Sequence, residues 1–336
     1  MTEIISELHD IEKYKILLKK KKIAVIGYGN QGRSQALNMR DFGLDVTIGN
    51  RKDSYSETAE KDGFKVMSIK DACIKSDVIF VLIPDEVQPK VFNEMILPYL
   101  KDGCTLVMAS GYNYFYGYIS PPDNVNVIMI APRMIDWGVR DLDLKGKGYP
   151  VLVSVGHDHS GNSKEVLIGL SAAIGVFQEG GCAIGSSFRE ETLLDLLSEH
   201  SWAGAILFIF RAYYEVVTEL GASPEAAILE MYASGELAEI AESMKDLGLF
   251  KQLKTHSGTS QYGQLVYGPE FAGDAVKNMI RENAMDILNG KFAREWTNEQ
   301  NSGMVVFRRL HEISAEHPME REEEELYKLL GRIKSK

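Results

Sequence analysis

KIAVIGYGNQGRSQALNM, residues 22–39, joins a short apolar run to a helix-compatible segment through Gly27, Gly29 and Gly32 in G-x-G-x-x-G spacing. The setting carries more information than the spacing, because glycine triplets also occur in ordinary loops. A strand entering such a turn needs glycine where the backbone must bend sharply and approach a pyrophosphate closely. The third glycine lets helix and strand pack, and the helix N-terminus then faces the phosphates. The segment therefore predicts a dinucleotide-binding βαβ start, with Gly27, Tyr28, Gly29, Asn30, Gln31 and Gly32 forming the cofactor turn.

Outward from this turn, apolar runs alternate with helical stretches: 45–49, 77–84, 105–109, 125–132 and 151–155. That alternation predicts an α/β Rossmann domain with a doubly wound parallel sheet over residues 1–186. Beyond residue 187 long helix-period segments take over, one opened by Ser223 as N-cap and Pro224 at the first helical position. Residues 187–336 are thus expected to form an all-α domain.

The chain has 336 residues, 45% of them hydrophobic, and a formal net charge of −11. This supports a large core and disfavours nucleic acid as a partner, since phosphate binding needs basic patches. AGAILFIF, residues 203–210, is too short to span a membrane, and Arg211 follows it. No signal-peptide pattern opens the chain, and Cys73, Cys104 and Cys182 form neither a metal spacing nor a disulfide framework, so a cytoplasmic setting is expected.

The second strand decides the cofactor. Sites for NAD usually place an acidic residue at its end, whereas here Gly49 and Asn50 lead into RKDSYSE. Arg51, Lys52, Ser54 and Ser56 can hydrogen-bond a 2′-phosphate, which predicts NADPH. Asp53 in the same loop argues the other way.

FREETLLDLLSEH, residues 188–200, places Asp195 and Glu199 four residues apart, hence on one helix face. Alone, the pair fits a solvated helix edge as readily as a metal site.

Taken in order, the glycine turn, RKDSYS, LIPDE (82–86), APR (131–133), FREETLLDLLSEH, SGTSQYG (257–263), YGPEF (267–271), AREW (293–296) and EHPME (316–320) give a chain that resembles ketol-acid reductoisomerase from about residue 12 to 326. The resemblance implies a Rossmann domain followed by a knotted helical domain, NADPH with Pro84 of LIPDE at the cofactor, and Mg²⁺. It also implies a small carboxylate substrate and a homodimer with shared active sites. Asp195 and Glu199 fall on the family's metal-ligand positions. Glu230 falls on the first of two glutamates supplied by the partner subunit, and Ser257, with nearby Thr255, on the substrate-carboxylate position.

Three departures concern chemistry. Ser110 stands at the family's histidine, Arg133 at its lysine, and Ser234 at the second partner glutamate. Asp136, Trp137, Tyr112, Tyr114 and Tyr116 are candidate lining residues, with packing the alternative. With Arg133, Asp195 and Glu199 as the catalytic set, the expectation is reduction of a small 2-keto or 3-hydroxy-2-keto acid, the isomerisation step altered or lost. The alternatives are the full reductoisomerase acting on 2-acetolactate, and an NADPH-binding protein without turnover.

Overall fold

The structure, a computed structural model, describes residues 3–8, 10–134 and 136–332, the side chains of Asp136 and Trp137 lying outside that description. The chain divides into two compact units, Met1–Leu194 and Asp195–Lys336. The division falls within the helix Phe188–Ser198, a few residues past the change of pattern at 186/187.

The first unit is built on nine strands: β1 (Ile4–Ile5), β2 (Ile23–Ile26), β3 (Val46–Gly49), β4 (Lys65–Met67), β5 (Val78–Val81), β6 (Thr105–Met108), β7 (Asn126–Pro132), β8 (Pro150–His157) and β9 (Cys182–Gly185). Their order across the sheet is β1-β9-β8-β7-β6-β5-β2-β3-β4. From β4 to β7 all neighbours are parallel, and the chain reverses between β2 and β5, the doubly wound arrangement whose crevice holds ligands.

All of β2, β5 and β6 is buried, as a sheet covered on both faces requires. Alternate residues serve opposite cores. Val25, Phe80 and Val107 pack on one side, and Ala24, Ile79 and Leu106 on the other. Burying each large apolar side chain of this kind contributes about 1.5–3 kcal/mol.

One correction follows. The sheet is mixed, because β8 runs antiparallel to β7 and β1 antiparallel to β9. Burial along β8 alternates for its first half and then gives way to exposure, the pattern of an antiparallel strand with one open face.

The second unit is helical, with a small core around Tyr214, Ile228, Met231 and Leu326. One continuous helix, Phe188–Glu219, is long and apolar enough by length and composition to cross a membrane. In the single chain Trp202, Leu207 and Phe208 on this helix are exposed.

Candidate functional site

Gly27 follows β2 with φ +94, a conformation that favours glycine, and an added Cβ there would lie 2.5 Å from the Leu82 carbonyl oxygen after β5. At Gly32 a Cβ would lie 2.3 Å from the Gly27 carbonyl oxygen. Nothing crowds Gly29, which is the N-cap of the helix Asn30–Asp41 and supplies no side-chain cap. The first N–H groups of that helix therefore point from the switch point without a capping oxygen, as an anion site needs. Asn30 and Gln31 open the helix, and Gln31 Oε1 accepts from Gln35. Tyr28, between the first two glycines, is buried, and its hydroxyl donates to Asp62 Oδ2 at 2.9 Å.

Past β3, Asp53 caps the helix Ser54–Lys61, accepting from the Tyr55 and Ser56 N–H groups. Ser56 closes the capping box: its Oγ accepts from Asp53 N at 3.0 Å and donates to the Asp53 carbonyl at 2.7 Å. That buried hydroxyl is engaged in the cap, which competes with its assignment to a 2′-phosphate. Arg51 is exposed and binds Asp53 Oδ2 through Nε at 2.8 Å, and this contact is the main reason the Asp53 carboxyl sits below the ordinary aspartate range. Ser54 stands at the first helical position. Arg51 and Ser54 remain the candidates on this side.

Pro84 lies in the loop after β5, where its carbonyl accepts from Val87 N and Gln88 N. Asn113 ties this loop to the turn after β6, donating to the Asp85 carbonyl and carboxylate at 3.0 Å each. Ser110 Oγ in that turn accepts from Tyr112 N. Tyr112 is buried, with its ring near Tyr116 and Tyr118, and Tyr114 packs on Phe188 at 4.5 Å. For Tyr112 and Tyr114 packing is the role observed.

Beside them lies a residue that sequence reasoning missed. Glu191, fully buried, accepts from Gly111 N at 2.6 Å and from Arg133 Nη2 at 2.6 Å. It joins the turn after β6 to the end of β7 and fixes the guanidinium. Its spacing four residues before Asp195, itself four before Glu199, was the available signal.

In the second unit Asp195 and Glu199 share a helix face. Partial burial, and then the Asp195 charge, hold the Glu199 carboxyl above the ordinary glutamate range, so the carboxylates are close enough to repel. Hard divalent cations favour such oxygen donors. Glu199 opens one π-helical turn, Glu199–Ala203, and Glu230 sits in another, Leu229–Ala233; such turns recur at functional sites. Among the described residues no group of three or more His, Cys, Asp or Glu side chains is placed to hold a metal ion, so Glu230 does not complete the pair within one chain. Ser257 caps the helix Gly258–Phe271, accepting from Ser260 N, and Thr255 Oγ1 donates to the Gln252 carbonyl. His200 packs edge-on to Phe292.

A doubly wound unit with a sterically enforced glycine turn, followed by a helical unit bearing paired carboxylates, defines a nucleotide-dependent oxidoreductase class. Residues 17–180 match the family model for the NADPH-binding domain of acetohydroxy acid isomeroreductase, and residues 188–331 the one for the C-terminal domain of ketol-acid reductoisomerase. The chain belongs to the ketol-acid reductoisomerase family. It is 49% identical over 94% of its length to a Saccharolobus solfataricus protein named "Putative ketol-acid reductoisomerase 3", and the alignment covers 95% of that protein. It is 42% identical over 93% of its length to ketol-acid reductoisomerase (NADP(+)) of Pyrobaculum aerophilum, 95% of which is covered. The structure of an NADH-preferring ketol-acid reductoisomerase from an uncultured archaean superposes with a TM-score of 0.89 at 34% identity, covering 97% of this chain and 99% of that one.

Proposed function

We propose that the protein is an NADPH-dependent reductase of a small 2-keto or 3-hydroxy-2-keto acid in which the family's rearrangement is altered or lost. The observation that carries this reading is the Arg133–Glu191 pair at 2.6 Å. Arginine stays protonated, and a guanidinium held by a fully buried carboxylate orients an anion but does not accept a proton. Rearrangement requires removal of a hydroxyl proton, a task for which Arg133 and Ser110 are poorly suited. Reduction asks less of these residues.

In this reading Gly27, Gly29, Gly32, Asn30, Gln31, Pro84, Arg51 and Ser54 hold NADPH, and Asp195 and Glu199 hold Mg²⁺. When bound, NADPH supplies the hydride and Mg²⁺ polarises substrate oxygens. The crowded glycine cradle and the mutually repelling carboxylates fit these groups. Ser257 and Thr255 are assigned to the substrate carboxylate. Glu230 is assigned to a site shared across a homodimer, which the exposed apolar face at Trp202, Leu207 and Phe208 supports. The free cysteines fit a cytoplasmic setting.

The second reading, full conversion of 2-acetolactate, is favoured by the 42% identity to a relative named for that activity. Assaying NADPH oxidation with 2-acetolactate and with 3-hydroxy-2-keto acids, with and without Mg²⁺, separates the readings. Turnover of the keto acids with little rearranged product supports the reductase. Robust dihydroxy acid from 2-acetolactate establishes the second reading, and no turnover on a broad panel favours a binding protein.

A further inference from the structure

Asp62 stands at the C-cap of the helix Ser54–Lys61, the end opposite the RKDSYS loop. Its carboxylate accepts from the Tyr28 hydroxyl at 2.9 Å and from Arg33 through Nε at 2.7 Å and Nη2 at 3.2 Å. Its carbonyl oxygen accepts from Arg40 Nη1 at 2.5 Å. Tyr28 lies between the first two turn glycines, its ring edge-on to Phe64 at 5.7 Å, and Arg33 lies in the first turn of the helix Asn30–Asp41. One carboxylate therefore ties the glycine-rich turn and the phosphate-facing helix to the far end of the helix that begins at the adenosine side. A forked arginine contact is directional as well as strong, and hydrogen bonds that share one acceptor group reinforce a single geometry.

We infer that Asp62 is a positioning residue that sets the spacing between the pyrophosphate turn and the adenosine-ribose loop. In this role it acts through Tyr28 and Arg33. A dinucleotide that must reach both places depends on that spacing, whereas a fragment that reaches only one does not. The inference rests on the dinucleotide-site reading and goes beyond it, because neither the glycine spacing nor the 2′-phosphate loop requires a link between their supports. A purely structural staple would lower stability and leave the ratio of whole-ligand to fragment affinity unchanged.

The test is calorimetric titration of the full-length protein and its Asp62→Asn, Arg33→Met and Tyr28→Phe variants with NADPH and with adenosine 2′-monophosphate. Asp62→Asn is expected to weaken NADPH about 10-fold, the scale of one lost charge-assisted hydrogen bond, and to leave the fragment within about 2-fold. Arg33→Met removes the forked contact without touching Asp62, and is expected to weaken NADPH by roughly 3- to 10-fold with the fragment again unchanged. It serves equally if Asp62→Asn does not fold. Equal effects on both ligands, or none on either in variants that melt like the unmodified protein, overturn the inference and leave the cofactor reading standing. Failure of the unmodified protein to bind NADPH overturns both.

Discussion

Arg133 Nη2 lies 2.6 Å from Glu191 Oε1, and the other oxygen of the same carboxylate holds the Gly111 N–H at 2.6 Å. Glu191 is fully buried while Arg133 keeps about a third of its side chain exposed, so the two ends of the pair are not equivalent. Removing the arginine takes this cation from a buried carboxylate that keeps the Gly111 N–H, and such breaks in buried pairs cost about 3–5 kcal/mol. Arg133→Met is expected at the upper part of that range. Glu191→Gln is expected to be milder, because an amide oxygen still accepts from Gly111 and the arginine can reach solvent. Denaturant midpoints at equal protein concentration check both; a milder effect for Arg133→Met than for Glu191→Gln would reverse the assignment.

Arg51 is expected to discriminate between cofactors. Replacing it with alanine removes a charge-assisted hydrogen bond to the 2′-phosphate, worth roughly 1.5–3 kcal/mol, so NADPH should bind about 10- to 150-fold more weakly. NADH should be little affected, since the Asp53 carboxylate loses its partner and can accept from a ribose hydroxyl. Ser56→Ala should act differently: it breaks a capping box and costs about 0.5–2 kcal/mol of stability without changing the NADPH to NADH preference. Fluorescence titration of both cofactors against both variants decides this. Equal titration of NADPH and NADH by the unmodified protein would remove the 2′-phosphate assignment.

The contrast between Arg51 and Ser56 shows what the sequence made legible. Glycine spacing encodes steric exclusion, and Gly27 and Gly32 do sit where a Cβ collides with backbone. Buried strands such as β2 and β5 announce themselves as continuous apolar runs. Hydroxyls announce much less, because the same Ser56 that suits a phosphate also suits the Asp53 cap three residues earlier. β1, β4 and β9 have two to four residues each and carry no period long enough to read. The spacing of Glu191 before Asp195 pointed to the helix face, but its partners, 58 and 80 positions away, were not legible from spacing along one helix.

Glu199 offers a titration test. Burial first, and the Asp195 charge second, raise its pKa above the ordinary glutamate value. The folded state thus favours the protonated form. Its favourable contribution is fully present below the unfolded pKa and is lost as pH rises through the higher folded value. Asp195→Asn removes the second cause and leaves the first, so the Glu199 carboxyl should titrate lower than in the unmodified protein, yet still above a free glutamate. Carboxyl carbon NMR of metal-free protein reads this directly. An unchanged Glu199 titration in the variant would show that the two carboxylates do not interact.

The exposed apolar face predicts assembly. Leu207 and Phe208 are each about two-thirds exposed in the single chain, on a helix that also exposes Trp202 and Val216. Contiguous faces of this kind mark interaction surfaces, and an obligate pair should bury more than about 2,000 Å². Sedimentation at micromolar concentration is expected to give a dimer, and Phe208→Asp to dissociate or unfold it. A stable monomer of the unmodified protein would remove the dimer, and with it the role given to Glu230.

Introducing the residues that the resemblance implies at three positions should bring in the rearrangement chemistry that the reductase reading takes as altered. Ser110→His, Arg133→Lys and Ser234→Glu supply the imidazole, the amine and the second carboxylate that this reading finds missing. Two of the positions tolerate change on physical grounds: Ser234 is exposed and Ser110 partly so. At position 133 a lysine keeps a positive charge beside Glu191, so the buried carboxylate is not stranded, although the forked geometry is lost. A general acid or base is worth about 100- to 10,000-fold in rate. The triple variant is therefore expected to form the rearranged dihydroxy acid from 2-acetolactate at least about 100-fold faster than the unmodified protein in the presence of Mg²⁺. Its reduction of 3-hydroxy-2-keto acids should change far less, because that step asks for no hydroxyl proton to be removed. Separate measurement of the two rates makes the comparison internal to one protein preparation. A triple variant that gains on both substrates alike would mean that the substitutions act on binding, and that the rearrangement was never the step these three residues limit.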